Sequence, residues 1–270
     1  QAGNYEINIL KSILIQGDSI FCATHFGSVY LFSIHSKQYQ KIHDYKYNDI
    51  NTLYIDSRKR LWIPTNTPSQ TVMVDKGKTI NKFNVDGREK QFKGMCLIKE
   101  LEQDIFLFGA ISDSVFVYDM NEETVTDLTA RLQNGEKNKR LGSITGALKD
   151  VEQYIWIATT KGGLFRLDKE LNLIQNYQKE DGLSESYINS LSIDKNGDIW
   201  VVTVKELYKL NRPENKFELI SPIDSPTQEY TLYANNCVSK DGTLYFPGNK
   251  GIMCFKPTSM NKNTYIPPVY

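Results

Sequence analysis

Apolar residues recur along the whole chain in short runs of about four to seven residues, separated by polar turns. One example is "SLSIDKNGDIWVVT", Ser190 to Thr203, in which a polar turn separates two apolar runs. Runs of this length are typical of β-strands, and no apolar stripe with helical spacing persists beyond about ten residues. The pattern therefore predicts an all-β chain. The best helical candidate is "LTARLQNGEKNKRLGSITG", Leu128 to Gly146, whose first half could form one turn.

A unit of four such runs is repeated six times. Each copy has a large aromatic residue, its anchor, in the second run, and successive anchors lie 41 to 50 residues apart. A period of about 40–50 residues with four strands per unit is the signature of a β-propeller. The sequence predicts four-stranded antiparallel blades, with each anchor packed between neighbouring blades. The anchors are Phe21, Trp62, Phe106, Trp156, Trp200 and Tyr245.

Charge and cysteine content narrow the possible functions. The 270 residues contain 32 Lys and Arg and 32 Asp and Glu, which argues against binding to nucleic acid or to an anionic membrane. Four cysteines occur in strand-like runs without metal-ligand spacing, so they are predicted to be buried, reduced thiols. These are Cys22, Cys96, Cys237 and Cys254.

The turn Asp194 to Asp198, "DKNGD", superficially resembles a calcium loop. A calcium loop of the EF type needs about twelve residues and a distal bidentate Glu. Here an apolar run follows at once, and Asn196-Gly197 is the preferred pair of a type I′ hairpin turn. We therefore interpret the segment as a hairpin. The corresponding segments of other copies, "DSRKR" and "SKDGT", do not repeat a ligand set.

No catalytic, metal-binding or cofactor motif is predicted. His25, His35 and His43 have no metal-binding spacing, and a nucleophile motif such as G-x-S-x-G does not occur. Structural or surface roles are favoured for the histidines. The three tryptophans could stack on sugar rings, but they share a repeat position with Phe and Tyr, which favours core packing.

The copy around Trp200 resembles the two-component regulator propeller repeats. The matching residues are Gly182-Leu183-Ser184, Ile188, Ser192 to Asp194, Gly197 and Ile199 to Thr203. Trp156 to Phe165 matches part of the same pattern. The resemblance implies the periplasmic sensor region of a hybrid two-component system, a sensor histidine kinase and response regulator of polysaccharide-using gut bacteria. Such propellers are usually seven-bladed, so either the ring closes with six blades or these six belong to a seven-bladed ring.

The same resemblance implies a domain division and partners. Residues 1–258 would be the propeller, and residues 259–270 would be an exit linker toward a following Ig-like domain. This segment itself would not be an enzyme. It would respond to an oligosaccharide, contact adjacent propeller and Ig-like domains of its own protein, act as part of a receptor homodimer, and control polysaccharide-utilisation genes.

Ligand contacts are expected in loops at one end of the propeller, where the second and third strands of a blade are joined and one blade leads to the next. These loops differ among the copies, unlike the anchors. The candidate ligand- or partner-binding residues are His25, Phe26, Asn66, Gln70, Lys161, Ser186, Tyr187, Lys205, Asn249 and Lys250. Two alternatives stay open: a propeller enzyme acting on polysaccharides, as a lyase or a hydrolase, and a pure protein-interaction scaffold.

Overall fold

A computed structural model describes residues 10–44, 50, 52–64, 71–80, 94–111, 113–136, 138–204, 206–222, 236–248 and 251–259. The described chain is nearly all β. It forms six antiparallel sheets that follow one another in sequence as blades of a β-propeller, which confirms the predicted fold class. Neighbouring strands in the sequence are neighbours in each sheet, so every blade is a simple meander.

The strands are numbered in chain order. Blade 1 consists of β1 (Leu10–Gln16), β2 (Ser19–Thr24), β3 (Ser28–Ser33) and β4 (Tyr39–Asp44). Blade 2 consists of β5 (Tyr54–Ile55), β6 (Leu61–Ile63), β7 (Val72–Asp75) and β8 (Lys78–Ile80). Blade 3 consists of β9 (Met95–Glu102), β10 (Ile105–Ala110), β11 (Val115–Asp119) and β12 (Thr124–Asp127). Blade 4 consists of β13 (Ile144–Lys149), β14 (Ile155–Thr159), β15 (Leu164–Leu167) and β16 (Leu173–Tyr177). Blade 5 consists of β17 (Ser190–Ile193), β18 (Ile199–Val202), β19 (Glu206–Asn211) and β20 (Lys216–Pro222). Blade 6 shows β21 (Cys237–Val238), β22 (Leu244–Gly248) and β23 (Gly251–Phe255) among the described residues.

Helical structure in the described part of the chain is confined to single turns. The helix α1 (Thr129–Leu132) lies in the segment predicted to form one turn. Two 3₁₀ turns cover Lys179–Asp181 and Pro257–Ser259. Of the predicted exit linker, residues 259–270, only Ser259 lies within the described residues, at the end of the second 3₁₀ turn.

Each blade has two faces, and the packing of Trp156 defines them. Trp156 in β14 packs against Ile199 and Val201 of the next blade. Its neighbours Ile155 and Ile157 point the other way, toward Leu107 of the preceding blade. We call the face carrying the anchor the front face and the opposite face the rear face. The front face of one blade covers the rear face of the next, and all three tryptophans are buried in such interfaces.

The anchor of blade 3 is Leu107, and the prediction of Phe106 is one residue out of register. Phe106 lies on the rear face, where its ring centroid is 4.6 Å from that of Trp62 in blade 2. Leu107 instead packs forward against Ile155 and Ile157. Alternate residues of a strand point to opposite faces, so a shift of one residue exchanges the faces. Both residues are apolar, and the spacing of aromatics alone selected the wrong one.

The turn between the first and second strands confirms this register. The residue three positions before the anchor has a positive φ in five blades: Lys59, Asp104, Gln153, Gly197 and Gly242. Asp104 is three positions before Leu107, not Phe106.

The hairpin prediction at Asp194–Asp198 is correct, but the turn is not type I′, because Asn196 does not share the positive φ of Gly197. A single left-handed residue closing the loop is typical of three-residue hairpins.

The first residue of "DKNGD" joins the hairpin to the anchor. Oδ1 of Asp194 accepts hydrogen bonds from the backbone N–H groups of Asn196 and Asp198. Its Oδ2 accepts a hydrogen bond from the indole Nε1 of Trp200 at 3.0 Å. Asp150 binds Trp156 in the same way at 2.9 Å, and Asp56 binds Trp62 at 2.8 Å. Where the anchor is Phe21 or Leu107, the residue six positions earlier is apolar, Ile15 or Leu101.

The cysteine prediction is only partly correct. Cys96 is buried, and burial raises the pKa of its thiol to about 12. Cys22 is half-buried, whereas Cys237 and Cys254 are exposed. All four are free thiols. The three accessible cysteines lie in blades 1 and 6.

Candidate functional site

The loop face is the end of the propeller that carries the loops between second and third strands and the links from blade to blade. Five of the predicted site residues are described there: His25, Phe26, Lys161, Ser186 and Tyr187. The other five lie outside the described residues. They are Asn66, Gln70, Lys205, Asn249 and Lys250.

Lys161 stands on a loop held firmly at both ends. Oγ1 of Thr159 donates a hydrogen bond to the carbonyl of Gly163 and accepts one from the N–H of Gly162, both at 2.9 Å. The N–H of Lys161 itself donates to the carbonyl of Leu141 at 2.9 Å. The backbone is thus fixed while the side chain of Lys161 is exposed. A charged side chain on a rigid loop loses little backbone entropy when it binds a ligand.

Ser186 and Tyr187 lie beside that loop, as the shared end of the propeller predicts. The N–H of Gly163 donates to the carbonyl of Ser186 at 3.1 Å, and the N–H of Ile188 donates to the carbonyl of Thr159 at 3.0 Å. These two hydrogen bonds attach the link between blades 4 and 5 directly to the loop of blade 4. Both Ser186 and Tyr187 are half-buried, so part of each side chain stays accessible.

The start of this link has a structural role. Gly182 has a φ of +98°, and a Cβ at this position would lie 2.2 Å from the carbonyl oxygen of Phe217. The next residue, Leu183, is buried in the core between blades 4 and 5. The N–H of Ser184 donates to the hydroxyl of Tyr208 at 3.0 Å. "GLS" therefore anchors the link between blades 4 and 5 to the body of blade 5.

His25 and Phe26 occupy the corresponding loop of blade 1. Their rings meet edge to face with centroids 5.2 Å apart, and Phe26 is 41% exposed. Oγ1 of Thr24 accepts a hydrogen bond from the N–H of Ser28 at 3.1 Å. This loop and that of Lys161 belong to different blades, so the structure places them on the same end of the propeller but not in one cluster.

The structure adds a pair that the sequence did not single out. Nε of Arg140 lies 2.7 Å from Oδ2 of Asp113, and the Arg140 side chain is 70% exposed. Oδ1 of Asp113 also accepts a hydrogen bond from the N–H of Gly142 at 2.5 Å. This ion pair joins blade 3 to the link before blade 4. In the sequence, the 50-residue spacing between the predicted anchors Phe106 and Trp156 indicates an insertion in this region. That spacing does not show where the side chains of the insertion lie.

The opposite end of the propeller carries a cleft between blades 3 and 4. Its volume is about 280 Å³. Lys149 and Glu102 meet in its wall at 2.9 Å. The remaining lining mixes apolar and polar groups: Leu101, Ile105, Val117, Asp119, Glu122, Thr124, Thr126, Ile155, Lys169 and Leu171. A cleft with charges of both signs can hold water or a small polar solute, and it lies away from the loop face.

Charged groups near that end hold blades 2 and 3 together. The buried guanidinium of Arg60 contacts Asp56 at 2.5 Å and Asp104 at 2.6 Å. Burial alone would lower the pKa of Arg60, but hydrogen bonds to both carboxylates raise it. The half-buried Lys99 has a lowered pKa because of desolvation, and its Nζ lies 5.8 Å from the ring centroid of Tyr54. These contacts are structural, since they fill the interface between blades.

The described residues contain no group of three or more His, Cys, Asp or Glu side chains that could hold a metal ion. Within the same residues, no helix is long and apolar enough to cross a bilayer.

The repeat around Trp200 is a part of the chain that matches a known family model. Residues 182–205 match the family model described as two component regulator propeller. This segment is therefore similar to the two-component regulator propeller repeats. The repeat contains Gly182, Asp194, Gly197 and Trp200, the residues that anchor the link, close the hairpin and fill the interface between blades.

The chain is also similar over most of its length to parts of longer proteins. The chain is 22% identical to histidine kinase P4 of Formosa agariphila over 267 residues, covering 94% of this chain and 16% of that protein. Its fold is similar to the extracellular domain of a hybrid two-component system of B. thetaiotaomicron, with a TM-score of 0.78 and 18% identity. That match covers 92% of this chain and 34% of the other. The chain thus spans a small part of the proteins that it resembles.

Enzymes are among the proteins that share the fold. Virginiamycin B lyase from Staphylococcus aureus matches with a TM-score of 0.70 at 9% identity, over 93% of this chain and 85% of the lyase. At this identity the likeness shows the β-propeller fold alone, because one fold supports many functions.

Proposed function

We propose that this propeller is a non-catalytic sensory module in the periplasmic part of a two-component receptor. The observation that carries the proposal is the two-component regulator propeller repeat at residues 182–205. The likeness to an extracellular domain of a hybrid two-component system over 92% of the chain supports it. The receptor would continue beyond these residues into further extracellular domains, a histidine kinase and a response regulator.

The ligand that we propose is an oligosaccharide, bound or monitored at the loop face. Accessible polar and aromatic side chains lie there on loops fixed by backbone hydrogen bonds. Lys161 and Phe26 are exposed, and Ser186 is half-buried. Aromatic rings and hydrogen-bonding groups are the usual means of recognising sugars. The three tryptophans have no part in this, because each is buried between blades with its indole N–H bound to a carboxylate.

Calorimetric titration with a panel of plant and host glycans would test the proposal. Both the isolated chain and the whole extracellular region of the receptor should be titrated, since a neighbouring domain could supply part of the site. Lys161→Ala should weaken binding if the loop face contacts the glycan. Lys169→Ala is the matched control, because Lys169 is also exposed but lies at the opposite end. Absence of glycan binding by the whole extracellular region would overturn the sugar-sensing role.

A polysaccharide lyase or hydrolase is the second candidate. Virginiamycin B lyase has the same fold, so the fold is compatible with an enzyme. A carbohydrate hydrolase needs two facing carboxylates about 5–10 Å apart across the sugar. On the described loop face, Asp113 is engaged with Arg140 and Glu185 accepts the N–H of Val204. Release of reducing ends or of unsaturated products from any glycan of the panel would favour the enzyme over the sensor.

A further inference from the structure

A basic side chain lies over the indole ring of each anchor tryptophan. The charged group is 5.4 to 6.0 Å from the ring centroid, and a carboxylate within 4 Å holds it there. Ring, cation and carboxylate thus occupy the space beside the anchor in these interfaces. The three sets are Trp62 with Arg60 and Asp56, Trp156 with Arg166 and Glu152, and Trp200 with Lys209 and Asp198.

Blade 3 has small aliphatic side chains at the same positions. Its anchor is Leu107, and the ladder partner of Leu107 is Val117. In blades 4 and 5 that partner is the basic residue, Arg166 or Lys209. Two short side chains therefore replace an indole ring and a long cation. The cleft between blades 3 and 4 lies at this place, because Val117 is one of its lining residues.

The cleft has an aliphatic part built from both blades. Leu101, Ile105 and Val117 line it from blade 3, and Ile155 and Leu171 line it from blade 4. All of these lining residues belong to the described part of the chain. The volume of about 280 Å³ is close to the lower limit for small-molecule pockets, which is about 300 Å³.

The two lysines of the lining are already engaged by carboxylates. Nζ of Lys149 lies 2.9 Å from Oε1 of Glu102, and the Lys149 side chain is only 18% exposed. Nζ of Lys169 lies 3.4 Å from Oε1 of Glu170. These two pairs neutralise one another's charges, so the lysines leave the other acidic residues of the lining uncompensated.

Those acidic residues are Asp119 and Glu122. Neither forms an ion pair within the described residues. Oδ1 of the half-buried Asp119 accepts hydrogen bonds from the N–H groups of Asn121 at 2.8 Å and Glu122 at 3.2 Å. These bonds fix the carboxylate, and its Oδ2 is left to accept a further donor. The cleft thus combines an aliphatic surface with negative charge that no side chain of the described chain balances.

We infer that this cleft binds an organic cation, a guanidinium or primary ammonium group on a short aliphatic stem. The cationic group binds Asp119, with Glu122 adding to the attraction, and the stem lies on Ile105 and Val117. Such a ligand supplies to blade 3 the cation that Arg166 supplies to blade 4. The site lies at the opposite end of the propeller from the loop face and is independent of the proposed glycan.

Two other classes of small ligand fit the cleft less well. A sugar is usually recognised with an aromatic ring, and no aromatic residue is among the residues that line the cleft. An anion would need a free cation, but Lys149 and Lys169 are both bound to carboxylates. It would also be repelled by Asp119 and Glu122. An organic cation suits both the charge and the aliphatic lining.

Butylguanidinium and butylurea test the inference directly, because they have nearly the same shape and differ in charge. Both should be titrated by calorimetry into the full-length protein at about 0.15 M salt, which weakens attraction to scattered surface charges. We expect butylguanidinium to bind at least about tenfold more tightly than butylurea, since charge-assisted hydrogen bonds are stronger than neutral ones.

Three variants assign the binding to the cleft. Asp119→Asn keeps an oxygen for the two N–H groups but removes the charge, so the affinity for butylguanidinium should fall at least about tenfold. Thr124→Lys should also weaken binding, because Thr124 is the exposed ladder partner of Asp119 and a lysine there supplies a tethered ammonium. Glu136→Gln is the matched control, since Glu136 is 70% exposed and lies outside the cleft. Thermal melting followed by circular dichroism should confirm that each variant is folded.

An acetylated Gly-Arg-Gly amide distinguishes the two sources of such a cation. Binding as tight as that of butylguanidinium would show that the cleft accepts an arginine side chain of a polypeptide. Binding of butylguanidinium alone would assign the cleft to a free small cation. Either result supports the inference.

Three results would overturn it. These are equal affinity for butylguanidinium and butylurea, binding of butylguanidinium that survives both Asp119→Asn and Thr124→Lys, and no binding of either cationic probe at about 10 mM. None of the probes is a glycan, so the outcome is separate from that of the glycan titrations.

Discussion

The indole Nε1 of Trp200 donates a hydrogen bond to Oδ2 of Asp194 across 3.0 Å, inside an interface from which water is excluded. The same carboxylate accepts two backbone N–H groups of its hairpin through Oδ1. A single buried side chain thus satisfies three donors and couples the turn of blade 5 to its anchor. Buried polar groups that lose their partners cost about 1–3 kcal/mol each.

Asp194→Ala should therefore lower the free energy of unfolding by about 2–4 kcal/mol, because it leaves the indole N–H and two turn N–H groups without their acceptor. Urea denaturation followed by tryptophan fluorescence would measure the loss. Asp198→Ala is the control. Asp198 is half-buried in the same hairpin and forms a salt bridge with Lys209, so its loss should cost less than about 1 kcal/mol. In a Trp200→Phe background the effect of Asp194→Ala should shrink, and equal effects in both backgrounds would disprove the coupling.

A second prediction follows from the strand register of blade 3. Phe106 contacts Trp62 of blade 2, whereas Leu107 packs on Ile155 and Ile157 of blade 4. A double-mutant cycle should show a coupling energy above about 0.5 kcal/mol between Phe106→Ala and Trp62→Phe, since residues in contact are not additive. Leu107→Ala should instead couple with Ile157→Val. Coupling of Leu107 to Trp62, without coupling of Phe106, would restore Phe106 as the anchor.

A third prediction separates backbone strain from steric space at two glycines. Both Gly182 and Gly17 have positive φ values, so an alanine at either position pays a conformational cost of about 1–2 kcal/mol. At Gly17 nothing lies within 4 Å of the added Cβ, whereas at Gly182 the carbonyl oxygen of Phe217 is 2.2 Å away. Gly182→Ala should therefore destabilise the protein by clearly more than Gly17→Ala. Equal shifts of the urea midpoint would contradict the close approach at Gly182.

A fourth prediction concerns the thiol of Cys96, which lies 3.4 Å from the carbonyl oxygen of Gly109 and 3.3 Å from that of Ile144. Burial raises its pKa from 9.0 to about 12. Between these values the folded state keeps a proton that the unfolded state releases, so this thiol stabilises the fold below pH 9 and loses that contribution as the pH rises toward 12. At pH 8, a thiol reagent should modify Cys237 and Cys254 but reach Cys96 only on unfolding. Mass spectrometry of the labelled peptides would check this, and rapid native labelling of Cys96 would contradict its burial.

The sequence was sufficient to predict the strand content, the six repeats and the packing of the tryptophans, because the copies recur in register and their turns carry local signals. It failed at Phe106, where two adjacent apolar residues compete for one position. The deciding features were Leu101, which replaces the carboxylate six residues before the anchor, and the positive φ of Asp104. A non-glycine residue gives no reliable sign of positive φ.

Within the candidate site, the sequence could predict only the contacts that follow from the topology of the propeller. Lys161 and Ser186 lie together because the loop within a blade and the link to the next blade meet at the same end of the propeller. Arg140 and Asp113 could not be paired from the sequence, since their contact depends on the path of an insertion. The exposure of Cys237 and Cys254 was also missed, because burial of those strands requires a neighbouring sheet.

The central claim is that this propeller senses a glycan for a histidine kinase, and the most direct test is ligand-dependent autophosphorylation of the whole receptor in membrane vesicles. Transfer of phosphate from ATP should be measured with and without each glycan that binds the extracellular region. The account predicts that at least one glycan changes the rate of autophosphorylation and that Lys161→Ala shifts the required glycan concentration upward while Lys169→Ala does not. A kinase rate that no bound glycan alters would contradict the sensory role.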